Sequence, residues 1–155
     1  MEKEEAEEVV HKIKKDGGSA FIISADLSTL NGINKLYPMM EKSLQKHIGD
    51  TTVDILVNNA GIGRILTLEE STEESFDEIM NINVKAPFLI IQQALPRLKD
   101  GGRIINISSF VTCVTSTSVF AYSISKGAIN RCTHTLAQQN WLPRYYGKRH
   151  SSWHN

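Results

Sequence analysis

The sequence has few cysteines, few tryptophans and no net charge. Its 155 residues include two Cys and two Trp, and 17 basic residues balance 17 acidic ones. Cys113 and Cys132 lack the spacing of metal ligands, and such a pair predicts reduced, buried thiols rather than a disulfide framework. The balanced and scattered charge gives no electrostatic footprint for a polyanion, so we expect no nucleic-acid partner.

Long apolar segments are also absent. No run approaches the roughly 20 residues that cross a bilayer, and the acidic start at residues 1–8 does not resemble a secretory or mitochondrial leader. We therefore expect no membrane partner and a cytoplasmic location. The five histidines are dispersed, which predicts no metal site. The length and the 41% hydrophobic share are those of one domain with an ordinary core.

The apolar pattern predicts alternating helices and strands. Helices are expected at residues 2–16, 31–48, 69–81, 84–98 and 122–139, and buried strands at 19–26, 53–57 and 103–107, the last after a turn at 99–102. Pro38 predicts an irregular first turn of the second helix. Alternation with short links predicts an α/β fold with a doubly wound parallel sheet, truncated here and resembling the Rossmann arrangement.

The most informative motif is Tyr122-Ser-Ile-Ser-Lys126. Residues four apart lie on one face of a helix, so the Lys126 ammonium can sit near the Tyr122 phenol. A tyrosine normally exchanges its proton only near pH ~10, and a fixed cation favours the phenolate that a general base needs. A solvated surface lysine gives the same spacing by chance, so the motif must be weighed with its neighbours.

Three further features precede this motif in order. A short apolar run ends in Asn58-Asn59-Ala60-Gly61, Asn83 follows, and Ser109 lies thirteen positions before Tyr122. Taken together, these residues resemble the short-chain dehydrogenase/reductase family, classical type, over residues 1–139.

The resemblance implies an NAD(P)-dependent oxidoreductase that interconverts a ketone and a secondary alcohol by hydride transfer, with NADP or NAD as cofactor and a small-molecule substrate. Tyr122 would be the general acid/base, and Lys126 would favour its phenolate and bind the nicotinamide ribose. Ser109 would hydrogen-bond the substrate oxygen. Asn83 would kink its helix and hold a water that links Lys126 to solvent. The plainer alternatives are a strand-end cap for Ser109, a turn for Asn83 and a solvated face for Lys126.

The same resemblance implies cofactor contacts from Asp26, Asn59, Ala60, Gly61, Tyr122 and Lys126. Asp26 would accept from the adenine amino group, although it could instead cap the next helix. Asn59, Ala60 and Gly61 would line the adenosine ribose, while Asn58 more simply ties neighbouring strands together. Apolar stripes at 88–95 and 128–136 predict core or subunit contacts, and the intact family form would be a homo-oligomer.

The sequence departs from the family pattern at both ends. The family begins with a strand and a Gly-rich turn, Thr-Gly-x-x-x-Gly-x-Gly, that holds the cofactor pyrophosphate, and no such turn occurs here. We therefore expect residues 1–139 to form a partial dinucleotide-binding domain, with residues 140–155 as a tail that does not match the family.

We hypothesise that a frameshift near Gln139 produced that tail. One permitted coding of residues 140–154, read one base later, gives Ile-Gly-Ser-Arg-Gly-Ile-Thr-Val-Asn-Ala-Ile-Leu-Pro-Gly, the segment that the family would have next. We expect such an incomplete form to be weak or inactive alone. The alternative is a noncatalytic fragment that at most associates with intact homologues.

Overall fold

The computed structural model describes residues 3–140. It contains five α-helices, α1 Lys3–Lys15, α2 Leu30–Ile48, α3 Glu73–Met80, α4 Ala86–Ala94 and α5 Phe120–Asn140, and two strands, β1 Val53–Asn58 and β2 Leu98–Asn106. A π-helical turn, Asn81–Lys85, joins α3 to α4, and single 3-10 turns cover Leu95–Arg97 and Phe110–Thr112. The predicted tail at 140–155 lies outside the described residues, apart from the backbone of Asn140.

Side chains at the helix ends fix several of these boundaries. The Thr29 hydroxyl accepts a hydrogen bond from the Gly32 amide at the start of α2, and Gly49 ends that helix in the left-handed conformation at φ 70°. Thr72 and Ser75 form a reciprocal capping box at the start of α3. The irregular turn predicted from Pro38 is wrong, since Pro38 lies well inside a continuous α2.

The two strands form a parallel sheet. Val57 pairs with Ile105 and Asn58 with Asn106, while the register shifts between Val53 and Ile55. The turn predicted at 99–102 is wrong because those residues belong to β2, where an irregular stretch containing Gly101 at φ 77° absorbs the register shift. The predicted α/β class with parallel strands is confirmed.

The strand predicted at residues 19–26 is absent from the structure. These residues form no ladder, and Ile22 is exposed rather than buried. A parallel strand needs a neighbour for its backbone N–H and C=O groups, and within residues 3–140 no other strand lies beside this segment. Residues 19–26 therefore lack the pairing that makes a strand.

The core lies between α2, α4 and one face of β1. It consists of Ile33, Tyr37, Ala86, Ile90 and Ala94, with Leu27, Leu36, Met40, Leu56 and Leu89 packed against it. The Tyr37 hydroxyl donates to the Ile90 carbonyl at 2.8 Å, and the Arg97 guanidinium lies 5.0 Å from the ring centroid. Burial raises the pKa of Tyr37 to about 12, against the opposing charge of Arg97.

The opposite face of the sheet is open. Strand alternation places Ile55, Val57 and Ile105 on the face away from Leu56, and all three are exposed. In most parallel sheets both faces are covered by helices. The described part of this chain therefore covers one sheet face, the one that carries the polar groups described next.

Candidate active site

Asn83 lies in the π-helical turn between α3 and α4 and is 2% exposed. The Ala86 amide donates to the Asn81 carbonyl five residues earlier, and Pro87 has no N–H to offer the Asn83 carbonyl four residues earlier. This local sequence therefore favours the wider turn. Such single π-turns recur at functional sites because they redirect one side chain of a helix.

The Asn83 side chain forms three hydrogen bonds. Its Oδ1 accepts from the Ile62 amide at 2.8 Å, and its Nδ2 donates to the Ile62 carbonyl at 2.8 Å and to Ser125 Oγ at 3.0 Å. The amide thus binds both backbone groups of Ile62 as a neighbouring strand would. Asn83 fixes the loop that follows β1 against α5.

Lys126 is 6% exposed, and its Nζ donates to the Ile107 carbonyl at 2.9 Å. The same nitrogen lies 5.7 Å from the centroid of the Tyr122 ring. Within residues 3–140 Lys126 forms no ion pair. A buried ammonium with one neutral partner retains two donors and a large electrostatic demand for an anion or for hydroxyl oxygens. The alternative of a solvated face for Lys126 is wrong.

Tyr122 lies one turn before Lys126 on α5 and is partly buried. Among the described residues its hydroxyl has no hydrogen-bond partner. A Cβ placed on Gly63 would lie 3.5 Å from Cδ2 and Cε2 of the Tyr122 ring, so the loop after β1 passes close to the ring. The phenol oxygen therefore remains available to an incoming group.

Gly61 sits where the site is tightest. A Cβ at this position would lie 3.3 Å from Asn83 Oδ1 and 3.4 Å from Lys126 Nζ. Asn59 and Ala60, the two residues before it, line a cleft at the carboxyl end of β1 together with Leu27, Leu36, Ile82 and Ile90. The segment Asn59-Ala60-Gly61, which is predicted to approach a ligand, thus begins at an apolar cleft and ends beside the buried Lys126 ammonium.

Ser109 follows β2 and lies two residues beyond Ile107, whose carbonyl binds Lys126. Its hydroxyl accepts a hydrogen bond from the Val111 amide at 3.4 Å and so caps the 3-10 turn Phe110–Thr112. Ser109 thus caps a turn and not the end of β2, so the strand-end alternative is wrong. The structure links Asn83, Tyr122 and Lys126 through the residues 61–63 but forms no hydrogen bond from Ser109 to the other three.

Asp26 stands apart from these residues. Its Oδ1 accepts from the amide of Ser28 at 2.9 Å and from the Ser28 hydroxyl at 2.6 Å, and these bonds lower the pKa of the Asp26 carboxyl. It does not cap α2, because Thr29 occupies that position. The helix-cap alternative for Asp26 is therefore wrong, and its adenine contact stays a prediction.

Sequence reasoning missed Ser125 and the two backbone partners, Ile62 and Ile107. Ser125 is fully buried, accepts from Asn83 and donates to the Tyr122 carbonyl at 2.7 Å. Its place in the sequence, one residue before Lys126, gives no indication of these buried contacts. The backbone partners carry no side-chain signal at all.

The expectation for Asn58 is confirmed. Its Nδ2 donates to Asn106 Oδ1 at 2.8 Å across the paired strand ends, and Asn106 Nδ2 donates to Thr133 Oγ1 at 3.0 Å. This chain of bonds ties the carboxyl ends of both strands to α5. Asn59, Ala60 and Gly61 follow directly after the strand end that is tied in this way.

The part of the chain that the structure describes was searched for metal sites, membrane spans and disulfides. It contains no cluster of three or more His, Cys, Asp or Glu side chains suited to a metal ion, and no helix in it is long and apolar enough for a membrane span. Cys113 and Cys132 are free thiols, and burial raises the pKa of Cys132. The expectation that both thiols are buried is wrong for Cys113, which is exposed.

Comparison with known proteins adds independent information. A family model described as short chain dehydrogenase matches residues 1–141. The hydroxynaphthalene reductase-like protein Arp2 of Metarhizium brunneum is 35% identical over 133 residues, which are 85% of this chain and 48% of Arp2. An uncharacterised oxidoreductase of Thermotoga maritima is 37% identical over 139 residues, 88% of this chain and 52% of that protein.

Among solved structures, angucycline C-6 ketoreductase LanV with bound NADP superimposes with a TM-score of 0.84 at 43% identity. The match covers 86% of this chain and 52% of LanV. This chain spans about half the length of the curated relatives it matches. The predicted doubly wound, Rossmann-like fold, truncated relative to these proteins, is confirmed.

Proposed function

This chain belongs to the short chain dehydrogenase family, and on that premise we propose that it carries the proton-transfer site of an NAD(P)-dependent oxidoreductase acting on a small ketone or secondary alcohol. The observation that carries the proposal is the buried Lys126 ammonium, which has no ion-pair partner among the described residues and lies beside the Tyr122 ring. A buried charge in this position is costly unless it serves a bound group.

The residues fit a dinucleotide. The cofactor, when bound, supplies or accepts the hydride. The two free donors of Lys126 suit ribose hydroxyls, and Gly61 leaves room beside Lys126 that a side chain would fill. Asn59 and Ala60 at the apolar cleft suit the adenosine, and Asp26, whose bonds from Ser28 both go to Oδ1, keeps Oδ2 for an amino group. The LanV structure contains bound NADP, which supports the same group here.

The protein's share of the reaction is the proton. Tyr122 gives its hydroxyl proton to the substrate oxygen during ketone reduction, or takes it from an alcohol during oxidation. The nearby ammonium stabilises the phenolate that reduction leaves behind. Asn83 and residues 61–63 hold the Tyr122 ring in place from the other side.

Ser109 completes the proposed set. Its hydroxyl accepts from Val111 and makes no donor bond within the described residues, so its proton is available to a carbonyl oxygen. A donor aimed at an oxygen that gains negative charge contributes a few kcal/mol in other enzymes, on the order of 3 kcal/mol. In our proposal Ser109 binds the oxygen that Tyr122 protonates.

A cofactor titration tests this function. We expect purified full-length chain to raise the fluorescence of NADPH or NADH, or to gain thermal stability with either, at millimolar concentration or below. Ligand binding raises stability by mass action even where turnover is slow. A chain that folds, as judged by a cooperative thermal transition, and responds to neither nucleotide would overturn the proposal.

A second candidate function is association without catalysis. Phe88 on α4 and Ile124 on α5 are exposed, as are Ile55 and Val57 on the open sheet face. Such surfaces favour protein contacts, and a chain half as long as its relatives could bind an intact homologue through α4 and α5. Mixing the chain with a complete family member and measuring mass tests this, and separate species at micromolar concentration would count against it.

A further inference from the structure

We propose that Ser125 is a positioning residue, which sets the orientation of the Asn83 amide and so clamps residues 61–63 against the Tyr122 ring. Ser125 has no accessible surface and lies between the site's two helical segments, the π-helical turn and α5. Its hydroxyl touches neither the phenol nor the ammonium of the proposed proton-transfer pair, so it acts through Asn83.

The direction of each hydrogen bond carries the argument. The Ser125 hydroxyl has one proton, which it gives to the Tyr122 carbonyl at 2.7 Å. Towards Asn83 it can then act only as an acceptor, so it must face the Nδ2 side of the amide rather than Oδ1. Ser125 thereby distinguishes the two orientations of the Asn83 amide.

Only that orientation serves Ile62. The Ile62 amide needs an acceptor and finds Asn83 Oδ1, while the Ile62 carbonyl needs a donor and finds Nδ2. If the Asn83 amide were flipped, its Nδ2 donor would face the Ile62 N–H donor, and its Oδ1 acceptor would face the Ile62 carbonyl acceptor. All three hydrogen bonds of Asn83 therefore require the same orientation of its amide. Of the two residues that it bonds, Ser125 is the one on α5, in the same helix as Tyr122.

The consequence reaches the site through the two glycines next to Ile62. Gly61 approaches Lys126 Nζ, and Gly63 approaches the Tyr122 ring. Both approaches depend on where the Ile62 backbone is held. If the clamp loosens, the loop moves away from the ring and the space beside the ammonium widens.

The chain offers a matched control in Ser123. Its hydroxyl also donates to a carbonyl of the preceding turn, that of Val119 at 2.9 Å, and it lies on the same helix. It makes no bond to Asn83. Ser123→Ala therefore removes the same kind of helix bond as Ser125→Ala and leaves the clamp intact.

Amide hydrogen exchange of the full-length chain measures the clamp without any cofactor. We expect Ser125→Ala to speed exchange at the Ile62 amide about 10-fold, because losing the hydrogen bond leaves a buried donor of Asn83 unsatisfied. Ser123→Ala is expected to change it less than about 2-fold, and Ser125→Thr, which keeps a hydroxyl, to restore slow exchange. Unchanged exchange in Ser125→Ala, or an equal change in Ser123→Ala, would overturn the proposal.

Two further measurements keep the clamp testable if the Ser125→Ala variant fails to fold. In the unmodified chain both Asn83 Nδ2 protons should exchange slowly and give separate resonances, and rapid exchange of either contradicts the clamp. In an Asn83→Asp background, which lacks the Nδ2 donors, Ser125→Ala should add no further change at Ile62. An undiminished change there would show that Ser125 acts by another route.

The expected effect of Ser125→Ala on cofactor binding rests on the proposed function, whereas the clamp itself does not. With NADPH we expect Ser125→Ala to weaken the fluorescence response several-fold and Ser123→Ala to leave it unchanged. If the unmodified chain gives no response while Ile62 exchange changes as expected, the proposed function fails and the clamp stands. If NADPH binds all variants equally, the clamp does not reach the cofactor and that part of the inference is wrong.

Discussion

The two ends of the described chain differ in how their elements are held. In α1 no residue is buried, Val9 is 52% exposed, and residues 19–26 pair with no strand. Between α3 and α5, by contrast, Ile79, Asn83, Ser125 and Lys126 are all buried. Asn83 donates to Ser125, and Lys126 donates to the Ile107 carbonyl. Both regions match the same family model.

The difference shows which parts of a parallel sheet protein are locally determined. The site region contains strands, helices and polar partners within one stretch of chain. The residues that contact one another there therefore all belong to that stretch. In the amino-terminal region, residues 19–26 pair with neither of the two strands described here. A family pattern in sequence therefore predicts secondary structure well only where the pairing elements are also present.

The largest stability contrast should separate a buried isoleucine from an exposed valine. Ile79 on α3 is 1% exposed, so Ile79→Ala is expected to lower the free energy of unfolding by about 2 to 5 kcal/mol. Val9→Ala in α1 should change it by less than about 0.5 kcal/mol. Urea denaturation of both full-length variants measures this, and equal losses would abolish the distinction between the two regions.

The buried Tyr37 should make the stability of the folded chain depend on pH in the alkaline range. Its folded pKa of about 12 lies above the ordinary value of 10.0, so the stability that it contributes is complete below pH 10 and is lost as pH rises through 12. The expected loss is about 2 to 3 kcal/mol, from two units at 1.36 kcal/mol each. Urea denaturation across that pH range should show a loss that Tyr37→Phe lacks. Identical profiles for both chains would contradict the assignment.

Asp26 provides the smallest effect, at low pH and in the weakly held region. Hydrogen bonds from Ser28 lower its folded pKa, so its contribution is present above the ordinary value of 3.8 and is lost as pH falls through the lower folded value. Because Asp26 is exposed, Asp26→Asn should alter the acid limb of thermal stability only slightly. A large change would show that residues 19–26 are held more firmly than the structure indicates.

Sequence alone placed most elements and three members of the site. Tyr122 and Lys126 came from spacing that helix geometry converts into proximity, Asn83 from the resemblance to the family, and Asn58 from its position at a strand end. The strand at 19–26 failed because pairing is not a local property. Ser125 and the Ile62 backbone were missed because a hydrogen-bond acceptor and a main-chain amide leave no pattern until the fold brings them to Asn83.

The central claim is that the buried Lys126 ammonium serves a bound nicotinamide cofactor, and one titration tests it most directly. NADPH is added to the unmodified chain, to Lys126→Met, which keeps the length of the side chain without its charge, and to Lys12→Met on exposed α1 as the control. We predict equal fluorescence responses from the unmodified chain and Lys12→Met and a loss of at least about 10-fold in affinity for Lys126→Met. Equal affinity in all three chains would contradict the account.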